Sequence, residues 1–191
     1  IIAEAEPDLI EVNISCPNVA SEFGTPFSAS AQSAAAVTRT VRKAVSLPIS
    51  IKLAPNVPKI SRIAQAIVAE GADAITAINT MPAMLIDALA AKPVLSNRTG
   101  GLSGPALKPI ALRCVYELAQ AVSVPIIGTG GVSSGIDAAE MLMAGATLVG
   151  IGSAMIKDGP SVFARICTEL MTFMSDNGYA QLADLRRKAL P

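Results

Sequence analysis

Five short runs rich in β-branched residues punctuate this chain. They are Leu9-Ile10-Glu11-Val12, Ile49-Ser50-Ile51-Lys52-Leu53, Ala74-Ile75-Thr76-Ala77-Ile78, Val124-Pro125-Ile126-Ile127 and Thr147-Leu148-Val149-Gly150-Ile151. Between them, apolar residues recur at helical spacing: Ala34, Val37, Val41, Ala44 and Val45, then Ile60, Ile63, Ala64, Ile67 and Val68, then Ile110, Leu112, Val115, Leu118 and Val122. A short, nearly continuous apolar run suits a strand covered on both sides, and a repeat of three to four residues gives a helix one face for the core. Strand and helix in strict alternation, with Gly or Pro at the turns, predict an α/β protein on a parallel sheet. A further helix is predicted to open near Ser133 to Asp137, and residues 160–190 read as amphipathic helix covering the outside. Residues 81–99 show no clear period and exceed the length of an ordinary βα loop, so they are expected to build over a site.

The residues at the strand ends are of a different kind. The first run leads into Asn13-Ile14-Ser15-Cys16-Pro17-Asn18. Proline has no N–H for a central ladder, so the chain should leave the sheet at Pro17 and present Cys16 at the strand's C-terminal end, where α/β folds place their chemistry. A free cysteine is commonly a small hydrophobe, the expected role of Cys114 and Cys167 inside helical patterns, but a polar strand end is a setting for a reactive thiol. The loop that follows, through Phe23-Gly24-Thr25-Pro26, has the length of an active-site cover. Lys52 stands inside an apolar strand, either snorkelling outward or serving an anionic ligand. Asn79-Thr80 is either a turn leaving its strand or part of a site.

Gly128-Thr129-Gly130-Gly131 and Gly152-Ser153 end the last two strands, and Gly100-Gly101-Leu102-Ser103-Gly104 precedes a helix. Glycine-rich loops on two successive strand ends match the phosphate site that (β/α)8 barrels build after strands 7 and 8. On that numbering the first strand here is the fourth of a barrel. The chain then reads as about five βα units of a TIM barrel, an N-terminally truncated piece in which residues 1–191 form a single domain and the front units are missing.

Composition narrows the chemistry. With 51% hydrophobic and 16% charged residues the chain can bury a sizeable core. Fifteen basic and fifteen acidic residues cancel without a basic run, so neither nucleic acid nor an anionic membrane is indicated. No apolar stretch reaches membrane-spanning length. The three cysteines are far apart, which supports no metal site on this chain and suits a cytoplasmic location. There is no histidine, so a proton must move through Cys, Lys, Asp, Glu or Tyr.

Taken together, the cysteine motif, Ile51-Lys52-Leu53, Ile78-Asn79-Thr80, Gly100 to Gly104, Gly128 to Gly131 and Gly150-Ile151-Gly152-Ser153 resemble the dihydroorotate dehydrogenases. The resemblance implies an FMN-bearing barrel that oxidises (S)-dihydroorotate to orotate in pyrimidine synthesis. Cys16 would take the C5 proton while a hydride leaves C6 for flavin N5, and a cysteine there is similar to the soluble class 1 enzymes. Asn13 would contact flavin and substrate, with Asn18, Asn79 and Thr80 on the pyrimidine. Lys52 would lie at the flavin's pyrimidine edge, and Ile78, Gly104, Gly130, Gly131, Gly152 and Ser153 would hold FMN and its phosphate.

The run from Arg98 to Gly104 resembles the NAD-linked type, which works with a separate FAD and iron–sulfur subunit. Gly159-Pro160-Ser161-Val162-Phe163 and Asn177-Gly178-Tyr179 resemble the fumarate-linked type. A homodimer or heterotetramer is implied for the full-length enzyme. Two alternatives stand beside this: a dihydropyrimidine dehydrogenase-like FMN enzyme, against which Asn18 argues, and a non-catalytic remnant that binds a phosphate or a partner.

Overall fold

The structure, a computed structural model, describes residues 2–15 and 27–191. In chain order it contains β1 (Ile10–Asn13), α1 (Ala31–Ala44), β2 (Ile49–Leu53), α2 (Ile60–Ala69), β3 (Ala74–Ala77), and the short strands β4 (Met81–Ala83), β5 (Ile86–Asp87), β6 (Lys92–Pro93) and β7 (Gly100–Leu102). There follow α3 (Lys108–Ala121), β8 (Ile126–Thr129), α4 (Gly135–Met143), β9 (Leu148–Gly150), α5 (Ser153–Asp158), α6 (Ser161–Asp176) and α7 (Leu182–Leu185).

Five strands form one parallel sheet in the order β1-β2-β3-β8-β9. Because neighbours in the sheet are also successive main strands of the chain, right-handed crossovers put the connecting helices on one face, the wall of a (β/α)8 barrel rather than a doubly wound sheet. The helix-side face carries Ile49, Ile51, Leu53 and Ile75, all at most 1% exposed, in one apolar cluster with Ile60, Ile67, Val115 and Leu118. Each such side chain contributes roughly 2 kcal/mol relative to exposure. Register places Glu11 beside Ser50, Asn13 beside Lys52, and Lys52 beside Thr76, so a polar row runs across the other face.

Local signals explain the element ends. Ser134 caps α4 by accepting from the Asp137 amide (3.2 Å), as the sequence suggested. Asp73 accepts from the Ile49 amide (2.8 Å) and from Arg42 (2.7 Å), which ties α1 to the start of β2. Ser28 donates to the Ile14 carbonyl (3.1 Å), holding residue 28 beside the end of β1.

Several expectations need correction. Residues 81–99 are not irregular throughout: β4 pairs antiparallel with β7, and β5 with β6. Gly100–Leu102 is therefore strand, and only Ser103 and Gly104 form the approach to the turn before α3. The stretch 160–190 is broken, with α6 ending near Asn177 and Gly178 before the short α7. Cys114 is fully buried, but Cys167 is exposed, because the buried stripe of α6 runs through Val162, Ile166 and Met174 and leaves the next position outward. Among the described residues no helix is long and apolar enough to cross a membrane.

Candidate active site

The C-terminal ends of β2, β3, β8 and β9 surround a cleft of about 720 Å³, within the range of small-molecule and cofactor pockets. Lys52, Ile78, Asn79 and Thr80 line one side. Gly104, Gly130, Gly131, Gly152 and Ser153 line another. Asn13 is tied to this wall through Asn79, while Cys16, Asn18 and the loop 23–26 lie outside the described residues.

Asn13 ends β1 and Asn79 follows β3 after Ile78, so each side chain leaves the sheet where the ladder stops. The Asn13 Oδ1 accepts from the amide (3.1 Å) and the hydroxyl (2.9 Å) of Ser15. Asn79 Nδ2 donates to Ser15 Oγ (2.8 Å) and, at 3.4 Å, to Asn13 Oδ1. Its other amide atom, Oδ1, accepts from the Thr80 amide (2.8 Å). Asn79 thus lines the cleft with its side chain tied to the amide of the residue that follows it. Ser15, only 4% exposed, is the hub of this cluster and was not a sequence candidate. Its neighbours in the motif drew attention because they carry the reactive groups. Ile78 lines the cleft with its backbone N–H already given to Thr129 (2.9 Å).

The opposite wall is built from close backbone approach. Gly131 has φ +78, and a Cβ there would meet the Lys108 amide nitrogen at 2.7 Å and the Gly104 carbonyl oxygen at 2.8 Å. Gly104 and Gly152 face open space where a side chain would stand, so their lack of one widens the cleft. Ser153 Oγ donates to Ser103 Oγ (2.9 Å), joining the loop after β9 to the one before α3. Lys157 and Arg165 also line this end, Arg165 being held by Asp158 (2.9 Å) and Glu169 (2.6 Å). A glycine-lined hollow with two cations at its rim fits a phosphate-bearing ligand.

Asp137 fixes the loop from outside. Its Oδ2 accepts from the amide and the hydroxyl of Ser133 (both 2.9 Å), and Oδ1 accepts from Lys108 Nζ (2.6 Å). Burial alone would raise its pKa, but the bonds from Lys108, Ser133 and Ser134 prevail and hold it at about 2.

Lys52 neither snorkels away nor stands alone. It reaches the cleft and pairs with Glu11 across the β1–β2 register (3.1 Å). Glu11 was missed because it sits in a run read as apolar. The signal available was alternation, which puts Glu11 and Asn13 on the same face.

The family profile described as dihydroorotate dehydrogenase matches residues 2–174. The catalytic subunit of NAD(+)-type dihydroorotate dehydrogenase B from Methanothermobacter thermautotrophicus is 44% identical over 183 residues, covering 95% of this chain and 60% of the relative. The corresponding Bacillus pumilus subunit is 47% identical over 175 residues, covering 92% and 56%. The fumarate-type dihydroorotate dehydrogenase A of Lacticaseibacillus paracasei is 56% identical over 145 residues, covering 76% and 50%. The chain thus spans between half and three-fifths of the length of these relatives. In fold it is similar to the solved dihydroorotate dehydrogenase from Eimeria tenella in complex with ferulenol, at a TM-score of 0.80 and 23% identity over 96% of this chain and 55% of that one.

Proposed function

This chain belongs to the dihydroorotate dehydrogenase family, and on that premise we propose that it supplies the catalytic half of an FMN-dependent enzyme oxidising (S)-dihydroorotate to orotate in cytoplasmic pyrimidine synthesis. The observation that carries the reading is convergence: the Asn13–Ser15–Asn79 cluster, Lys52 and the glycine-lined hollow meet at one end of the sheet.

The residues divide the work by position. Cys16 follows directly on the buried Ser15 and, as thiolate, takes the proton from C5. Asn13, Asn18, Asn79 and Thr80 hold the pyrimidine ring through amide and hydroxyl groups, which match its alternating N–H and C=O edges. Gly130, Gly131, Gly152 and Ser153 would hold the cofactor's phosphate, and Ile78 and Gly104 would hold its ring. Lys52, which lines the cleft, would supply a cation that favours negative charge on a reduced flavin. When bound, FMN would supply the two-electron acceptor for the hydride that leaves C6 as C5 gives up its proton.

Relatives of both the NAD-linked and the fumarate-linked type match. An NAD-linked enzyme would pass electrons to a separate FAD and iron–sulfur subunit, a fumarate-linked one to fumarate, and the full-length enzyme would be a homodimer or a heterotetramer.

Rapid mixing of the FMN-loaded full-length protein with dihydroorotate tests the assignment. The flavin of the wild type should bleach, and Cys16→Ala should keep FMN yet bleach more slowly by about 100-fold or more. Cys16→Ser should regain rate at high pH. Equal bleaching in the Ala variant would remove Cys16 as the base. A wild type bleached by dihydrouracil and not by dihydroorotate would overturn the substrate.

A further inference from the structure

The cation at the cleft is half of a built arrangement. Glu11 uses both carboxylate oxygens: Oε1 accepts from Lys52 Nζ on β2 (3.1 Å) and Oε2 from Thr76 Oγ1 on β3 (2.8 Å). Thr76, 3% exposed, is joined in turn to the fully buried Ser50 hydroxyl (2.9 Å). A surface lysine paired with a surface glutamate would leave both side chains free to wander, and such a pair does little. Here three neighbouring strands set the carboxylate, and it sets the ammonium.

We propose that Glu11 is a positioning residue that aims Lys52 into the cleft and offsets part of its charge, so that the bound flavin is held at a lower potential than a bare lysine would give. The proposal rests on the FMN reading above. A cation beside the flavin ring stabilises the reduced, anionic form, and a carboxylate beside that cation subtracts from the effect.

The test is spectroelectrochemical titration of the FMN-loaded protein. Glu11→Gln keeps the shape and an acceptor for Lys52 but removes the charge. Its two-electron midpoint should rise by about 30 mV or more, a tenfold change in the reduction equilibrium, with FMN still bound. In a Lys52→Met background, where the midpoint itself falls, the same substitution should still raise it, because the two charges add at the ring. If Glu11→Gln does not fold, Glu11→Asp, which draws the charge back by one methylene, is read instead and should shift in the same direction by less. A Glu11→Gln midpoint equal to or below that of wild type overturns the proposal. In that case a wild type that holds FMN and is bleached by dihydroorotate leaves the FMN reading standing. A full-length wild type that binds no FMN overturns both.

Discussion

A methyl group on Gly131 would press on two backbone atoms at once, the Lys108 nitrogen and the Gly104 oxygen, and neither can rotate away as a side-chain tip could. The backbone there is also left-handed, at φ +78. Gly131→Ala should therefore cost about 2 kcal/mol and lower Tm by roughly 5 °C. The loss of FMN affinity should exceed what that destabilisation explains, because the wall itself moves. Thermal melts with and without FMN check this, and equal melts would show that the loop can give way. At this scale the sequence was legible wherever residue type alone restricts a position, as with the glycines, Asn13 and Asn79. It was less so where a role depends on a partner. Lys52 could be suspected from one strand, but its pairing with Glu11 and the Thr76 link need the register of β1, β2 and β3, which long-range pairing decides.

Between elements, Lys108 at the start of α3 bonds Asp137 (2.6 Å) and Glu140 (2.7 Å) on α4, clamping the two helices under the loop that ends β8. The Asp137 pKa is held at about 2, below its ordinary 3.8, so its stabilising share is present above about pH 4 and disappears as the pH falls through 2. The depression corresponds to about 2 kcal/mol. Between pH 4 and pH 2 the wild type should lose about that much more stability than Asp137→Asn, as read from urea unfolding at each pH. Parallel losses would remove the clamp. The helices and main strands were readable because their periods are long enough to register. The ribbons β4–β7 and β5–β6 were not, because two- and three-residue strands have no period to detect. Cys167 shows a related limit: helical spacing reveals a stripe, but the phase that separates Ile166 from its neighbour is set by where α4 lies.

For the molecule as a whole, strand order follows chain order, so each unit packs chiefly on the one before and after it. The excursion between β3 and α3 departs from that plan and closes on itself, its base zipped where Met81–Ala83 meets Gly100–Leu102. Its tip exposes Leu85, Ile86 and Leu89. A base joined in this way fixes the distance between the two ends whatever lies beyond. Four Gly-Ser residues inserted between Leu89 and Ala90 should thus change Tm by less than about 2 °C, since lengthening a loop costs little, and FMN affinity should be unchanged. A large drop on calorimetry would mean that the tip supports the barrel. If it does not, the stem works as an insulator: residues 84–95 can lengthen, shorten or change character while the ends of the main strands stay where the parallel sheet holds them.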